Sequence, residues 1–115
     1  MSSSEAEGNW LVLDGRVLAT LEMATTRRDR RRGLLGRDGI NGAMLLQPAR
    51  SVHTFGMKFP IDVAHLDAEG VVLRLSTMKP TRLGAFVFRS RSVIETEAGA
   101  FARWGVVPGD RLEVR

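Results

Sequence analysis

The segment Pro60-Ile-Asp-Val-Ala-His-Leu66 sets the tightest limit on how this chain can fold. Pro60 holds Phe59 in an extended conformation and fixes the entry to a β-prone run. Alternation along that run puts Ile61, Val63 and His65 on one face and Asp62, Ala64 and Leu66 on the other. Asp62 therefore stands where hydrocarbon is expected. An ionised carboxyl buried there without partners is costly, or it shifts its pKa. Three environments relieve it: backbone N–H groups of a neighbouring loop, a cation such as Lys58 or an arginine, or a solvated cleft. The first two make Asp62 structural and the third makes it functional.

The remaining chain reads as short strands separated by turns. Trp10-Leu-Val-Leu13 and Arg16 to Met23 flank Asp14-Gly15, a pair suited to a tight hairpin because both central residues must take positive φ. Ala43-Met-Leu-Leu-Gln47 suits a buried strand stopped by Pro48. Val71 to Thr77 and Ser92 to Thr96 read as further strands, and Arg111 to Arg115 as a last one that buries Leu112 and Val114. Glu97 to Trp104 reads as a short helix with Phe101 and Trp104 on one face and Gly105 as its stop. Phe86-Val-Phe88, in an irregular connection, either tucks into the core or borders a pocket. The expected architecture is α+β: a mainly antiparallel, barrel-like β-sheet domain with two short helices. Residues 1–8 have tail composition, leaving 9–115 as a single domain.

The first helix is unusual. Thr26 with Asp29 has capping-box spacing and Gly36 offers a stop, yet Arg27, Arg28, Arg30, Arg31 and Arg32 surround the axis. With Leu34 and Leu35 as its only anchors, this helix belongs on the surface. The arginines are either a solvated face balanced by Asp29, Glu22 and Asp38, or an anion-binding surface through Arg27, Arg28, Arg31 and Arg32. The net charge of +4 accommodates a nucleic acid. Only Lys58 and Lys79 are lysines, so arginine-rich coding is the simpler account of the balance. No aromatic residue interleaves the arginines to stack on bases.

The working surface is expected around His53, Phe55, Met57, Lys58 and Asp62, a small pocket of mixed polarity. Two readings share these residues. One is a non-catalytic module that binds a small polar ligand or a segment of a partner protein. The other is a hydrolase-type enzyme using Asp62 and His53 as acid and base. Nucleic-acid or anionic-surface binding through the Arg27–Arg37 helix is the third. The absence of cysteine excludes thiol chemistry, disulfides and cysteine-based metal sites. Two histidines at His53 and His65 do not suggest a metal centre, and no glycine-rich phosphate loop or nucleophile elbow occurs. No cofactor is expected.

The order of Arg32-Gly-Leu-Leu-Gly-Arg37, Ala43-Met-Leu-Leu46, Thr54-Phe-Gly-Met-Lys-Phe-Pro-Ile-Asp62, Glu95, Ala98-Gly99 and Gly105-Val-Val-Pro-Gly-Asp110 resembles domain of unknown function 192, a small prokaryotic family. The resemblance runs from about Ala24 to Asp110. Leu35 stands where methionine is common in the family, and Phe55-Gly56-Met57 where an aromatic pair often precedes methionine. The resemblance implies a compact, mainly β domain with short helices and brings no activity with it. Many relatives resemble exported or membrane-anchored proteins. Here the polar, acidic start is unlike a signal peptide, and no apolar run approaches the length of a membrane span. A cytoplasmic monomer is the expectation.

Overall fold

The computed structural model describes residues 9–115, so the expected tail at 1–8 lies outside the described residues. Nine elements follow in order: β1 (Asn9–Leu13), β2 (Arg16–Ala24), α1 (Arg27–Arg32), β3 (Ala43–Leu46), β4 (Ile61–Leu66), β5 (Val72–Met78), β6 (Ser92–Glu97), α2 (Ala100–Trp104) and β7 (Leu112–Val114). The strands form one seven-stranded sheet in the order β5-β4-β6-β3-β2-β1-β7. Every neighbouring pair is antiparallel except β2 with β3. A bridge between Val71 and Arg111 joins the segments leading into the two edge strands, so the sheet curls into a half-barrel. The α+β, mainly antiparallel expectation holds.

Asp14 and Gly15 turn the β1–β2 hairpin with φ of 51° and 77°, the mirror-image geometry that matches strand twist. The helices are shorter than the sequence suggests. α1 ends at Gly33 rather than Gly36, because Gly33 adopts φ 46° and ψ −125° and breaks the helical path. Leu34 then turns inward and is buried, whereas no residue of α1 itself is. β6 runs on through Glu97, so α2 begins only at Ala100, after Gly99. At its other end Gly105 takes φ 73°, and the Phe101 and Trp104 rings meet edge to face at 5.6 Å.

The run from Ser51 to Phe59 is an irregular loop with a lone bridge, His53 to Leu83. Thr54 organises it: its hydroxyl donates to the Lys79 carbonyl at 2.6 Å and accepts from the Arg82 amide at 2.8 Å. The last strand, expected to bury both Leu112 and Val114, buries only Leu112: β7 is an edge strand paired only with β1, and Val114 is left exposed. Phe86 and Phe88 are both exposed; Phe88 borders a shallow pocket, with the Arg50 guanidinium 5.9 Å from its ring centre.

The central strand β4 is buried at all six positions, so the sheet is covered on both faces there. Ala64 and Leu66 belong to a cluster on the concave side with Leu11, Leu45, Ile94 and Phe101. Ile61 and Val63 belong to a second cluster with Leu34, Leu46, Val52 and Val93, beneath α1 and the Ser51–Phe59 loop. This arrangement pins Asp62 under α2. Its Oδ1 accepts from the Thr77 hydroxyl at 2.6 Å, and its Oδ2 from the Phe101 amide at 3.3 Å. The side chain thus satisfies an orphan donor in the first turn of α2. Asp62→Ala strands both donors and should destabilise the fold by ~1–3 kcal/mol. A thermal melt checks this, and an unchanged midpoint would contradict the pinning role.

Candidate functional site

The residues anticipated around Asp62 do not assemble into one pocket. Asp62 lies on the concave face, whereas His53 and Met57 line a cavity on the opposite face. The proposed Asp62–His53 acid/base pair therefore has a sheet between its members. Phe55 is half exposed and stacks on the His53 ring at 5.2 Å, outside the cavity lining. Lys58 reaches outward to Asp38 at 3.5 Å, an exposed pair of little energetic weight.

His53 and Met57 belong to a cavity of about 130 Å³ between α1, the loop from Ser51 to Met57 and the sheet. Its walls are mostly hydrocarbon: Leu34, Leu35, Leu46, Val52 and Met57. Gly33 brings the backbone over the sheet, and Gly56, at φ 79°, approaches Leu35 closely enough that a Cβ would sit 3.3 Å from its Cδ2. The Phe55 amide donates to His53 Nδ1 at 3.3 Å, so the neutral ring carries its proton on Nε2.

The decisive side chain is Glu95. It is centred in β6, opposite Met44 of β3 and Val63 of β4, and only 5% of it is exposed. Its carboxyl lines the cavity, and among the described residues it makes no hydrogen bond or ion pair. Burial alone pushes its pKa up, to about 7. A neutral acid is the cheaper form of a carboxyl in such surroundings. Asp62 and Glu95, on neighbouring strands, thus point to opposite faces and meet opposite fates: one is partnered and the other is not.

The mouth of the cavity is cationic. Arg30, Arg31 and Arg32 line it. The Arg30 guanidinium is committed to the carbonyls of Thr25 at 2.7 Å and Gln47 at 3.4 Å. Among the described residues, Arg27, Arg28, Arg31 and Arg32 make no ion pair. The acids expected to balance them are directed elsewhere: Glu22 holds Arg37 through two bonds of 2.8 and 2.9 Å, and Asp38 faces Lys58. Thr26 caps α1, its hydroxyl accepting from the Asp29 amide at 3.0 Å, and the Asp29 carboxylate makes no ion pair among the described residues.

Sequence reasoning passed over Glu95 as a site residue although the signal was available. A carboxyl after Val93-Ile94, within the strand read from Ser92 to Thr96, raises the same question as Asp62. His65 is a second buried polar group, and it is structural. Ser90 Oγ, 3.1 Å from His65 Nδ1, also approaches the Ala49 carbonyl at 2.8 Å. With that hydroxyl proton given to the carbonyl, His65 must be the donor to Ser90. Burial and the Arg74 charge push the His65 pKa down. Among the described residues, no group of three or more His, Asp or Glu side chains is placed to hold a metal, and no helix is long and apolar enough to cross a membrane.

The family model of domain of unknown function 192, described as "Uncharacterized ACR", matches residues 11–114. The chain belongs to this family. Two solved structures share the fold of this DUF192 member. A protein of unknown function from Novosphingobium aromaticivorans is 18% identical with a TM-score of 0.76, over 92% of this chain and 83% of that one. A protein from Sinorhizobium meliloti, described as a "putative transcription regulator", is 25% identical with a TM-score of 0.75, over 96% and 98% of the two chains. No curated protein matches the chain.

Glu95 has a signed consequence for stability. Its carboxyl pKa is raised from 4.5 to about 7 on folding, so the folded chain holds a proton that the unfolded chain has released between those values. The stability associated with the neutral acid is complete below the unfolded pKa and is lost as pH rises towards the folded one. At ~1.4 kcal/mol per unit, the loss amounts to a few kcal/mol. Glu95→Gln should therefore raise the melting temperature relative to wild type at about pH 8, by roughly 10 °C, and far less near pH 5. Equal destabilisation of the variant at both pH values would show that the carboxylate has partners.

Proposed function

We propose that this protein is a non-catalytic binding module whose ligand seats in the cavity between α1, the Ser51–Met57 loop and β6, anchored by Glu95. One observation carries the reading: a carboxyl buried to 5% exposure lines a cavity without a protein partner among the described residues. Such a group costs stability in the empty protein, and a ligand that donates hydrogen bonds offsets that cost. The rest of the lining fits a small molecule, with apolar walls and few polar groups to fix orientation. His53 and Met57 remain candidate ligand-binding residues, Phe55 supports His53 by stacking, and Lys58 and Asp62 lie away from the cavity. A hydrolase built on Asp62 and His53 has no shared cleft in which to work.

A small alkylamine is the simplest occupant with donors for Glu95. Addition of butylamine at millimolar concentration should shift the amide resonances of Gly33 and Glu95 in the wild type and leave those of Glu95→Gln unmoved. Identical shifts in both proteins would remove Glu95 from the site.

A second reading concerns α1. Arg27, Arg28, Arg31 and Arg32 are unpaired among the described residues, and the Sinorhizobium relative is described as a "putative transcription regulator". Contacts from these guanidiniums would go to phosphates and carry no base sequence. Affinity for a generic duplex should then fall with salt, at a log–log slope of about −0.9 per phosphate engaged. Absence of binding even at low salt ends this reading.

A further inference from the structure

The cavity has two poles of opposite sign. At its buried end, Glu95 Oε1 and the Arg30 carbonyl oxygen both lie near Gly33, 3.8 and 3.7 Å from where a Cβ would stand. The carbonyl and the ionised carboxylate are both acceptors, so this end calls for N–H groups. At the mouth stand Arg31 and Arg32, whose guanidiniums have no ion pair among the described residues. Leu34, Leu35, Leu46, Val52 and Met57 wall the space between. Glu95 makes no ion pair with these arginines among the described residues, so each pole lacks a counter-charge.

We infer that the occupant is a small zwitterion with an aliphatic middle, its ammonium inward on Glu95 and its carboxylate at the mouth on Arg31 and Arg32. This rests on the binding-module reading of the same cavity and adds the acidic end of the ligand. A simple amine would meet the repulsion of the arginine mouth, and a simple acid would leave the inner acceptors unmet. A zwitterion answers both. The charged and titratable groups that face Glu95 are Arg30, Arg31 and Arg32 from α1 and His53 from the loop, while β3 and β4 oppose it with Met44 and Val63 alone. An ammonium needs the ionised carboxylate, so binding releases the proton of Glu95 and tightens as pH rises.

Calorimetry with γ-aminobutyrate, butylamine and butyrate tests this, on the wild type, Glu95→Gln, and the double variant Arg31→Ala with Arg32→Ala. At about pH 8, γ-aminobutyrate should bind at least about tenfold more tightly than either half-molecule. The double variant should reduce it to the level of butylamine, and Glu95→Gln should abolish the binding of both amines. Thermal melts confirm that each variant is folded. If butylamine binds as tightly as γ-aminobutyrate and depends on Glu95, the zwitterion fails and the binding module survives. If butyrate binds best and ignores Glu95→Gln, or if none of the three binds, both fail.

Discussion

The central strands of the sheet are covered on both faces and have no solvent-facing side on which to place a carboxylate. β4 is buried at every position and β6 at all but its last, so an acid in either strand enters a core whichever way it points. Each must then be met by donors or kept neutral. The half-barrel is arranged around how it treats its two such residues. Asp62 points into the concave face and meets Thr77 and the first turn of α2. Glu95 points through the other face, into a cavity roofed by the end of α1 and the Ser51–Met57 loop.

The two environments are not interchangeable. Asp62 ties together three elements distant in sequence, and its energy is spent on holding α2 against the sheet. Glu95 ties nothing together. Its cross-strand neighbours are Met44 and Val63, and a Cβ on Gly33, at the sharp break that ends α1, would lie 3.8 Å from its Oε1. A hydrocarbon side chain at that point would serve the fold better, since an unpartnered buried acid is a liability in the empty protein. Stability given up at a cavity wall is a common mark of a binding site.

Much of the architecture was legible in the residues. Asp14-Gly15 announced the hairpin, Gly105 the end of α2, and alternation placed Asp62 apart from Ile61 and Val63 correctly. What alternation could not supply was the partner. The Phe101 amide lies 39 residues from Asp62, and only the packing of α2 brings it there. The site was misplaced for the same reason. His53 and Asp62 are close in sequence, but the loop before Pro60 and the strand after it deliver them to opposite faces. That Glu95 stands without a partner depends on β3 and β4 flanking β6, a strand order that local patterns do not encode. α1 ended early because Gly33, not Gly36, takes the backbone out of the helix.

The account stands or falls on the ionisation of one carboxyl. Following the side-chain carboxyl carbon of Glu95 by 13C NMR through a pH titration of the folded, ligand-free protein measures it directly. The midpoint should lie near 7, well above the ordinary value of 4.5, as burial without a partner requires. A midpoint at or below 4.5 would mean that donors or cations already hold the carboxylate, and the cavity would lose the group that defines it.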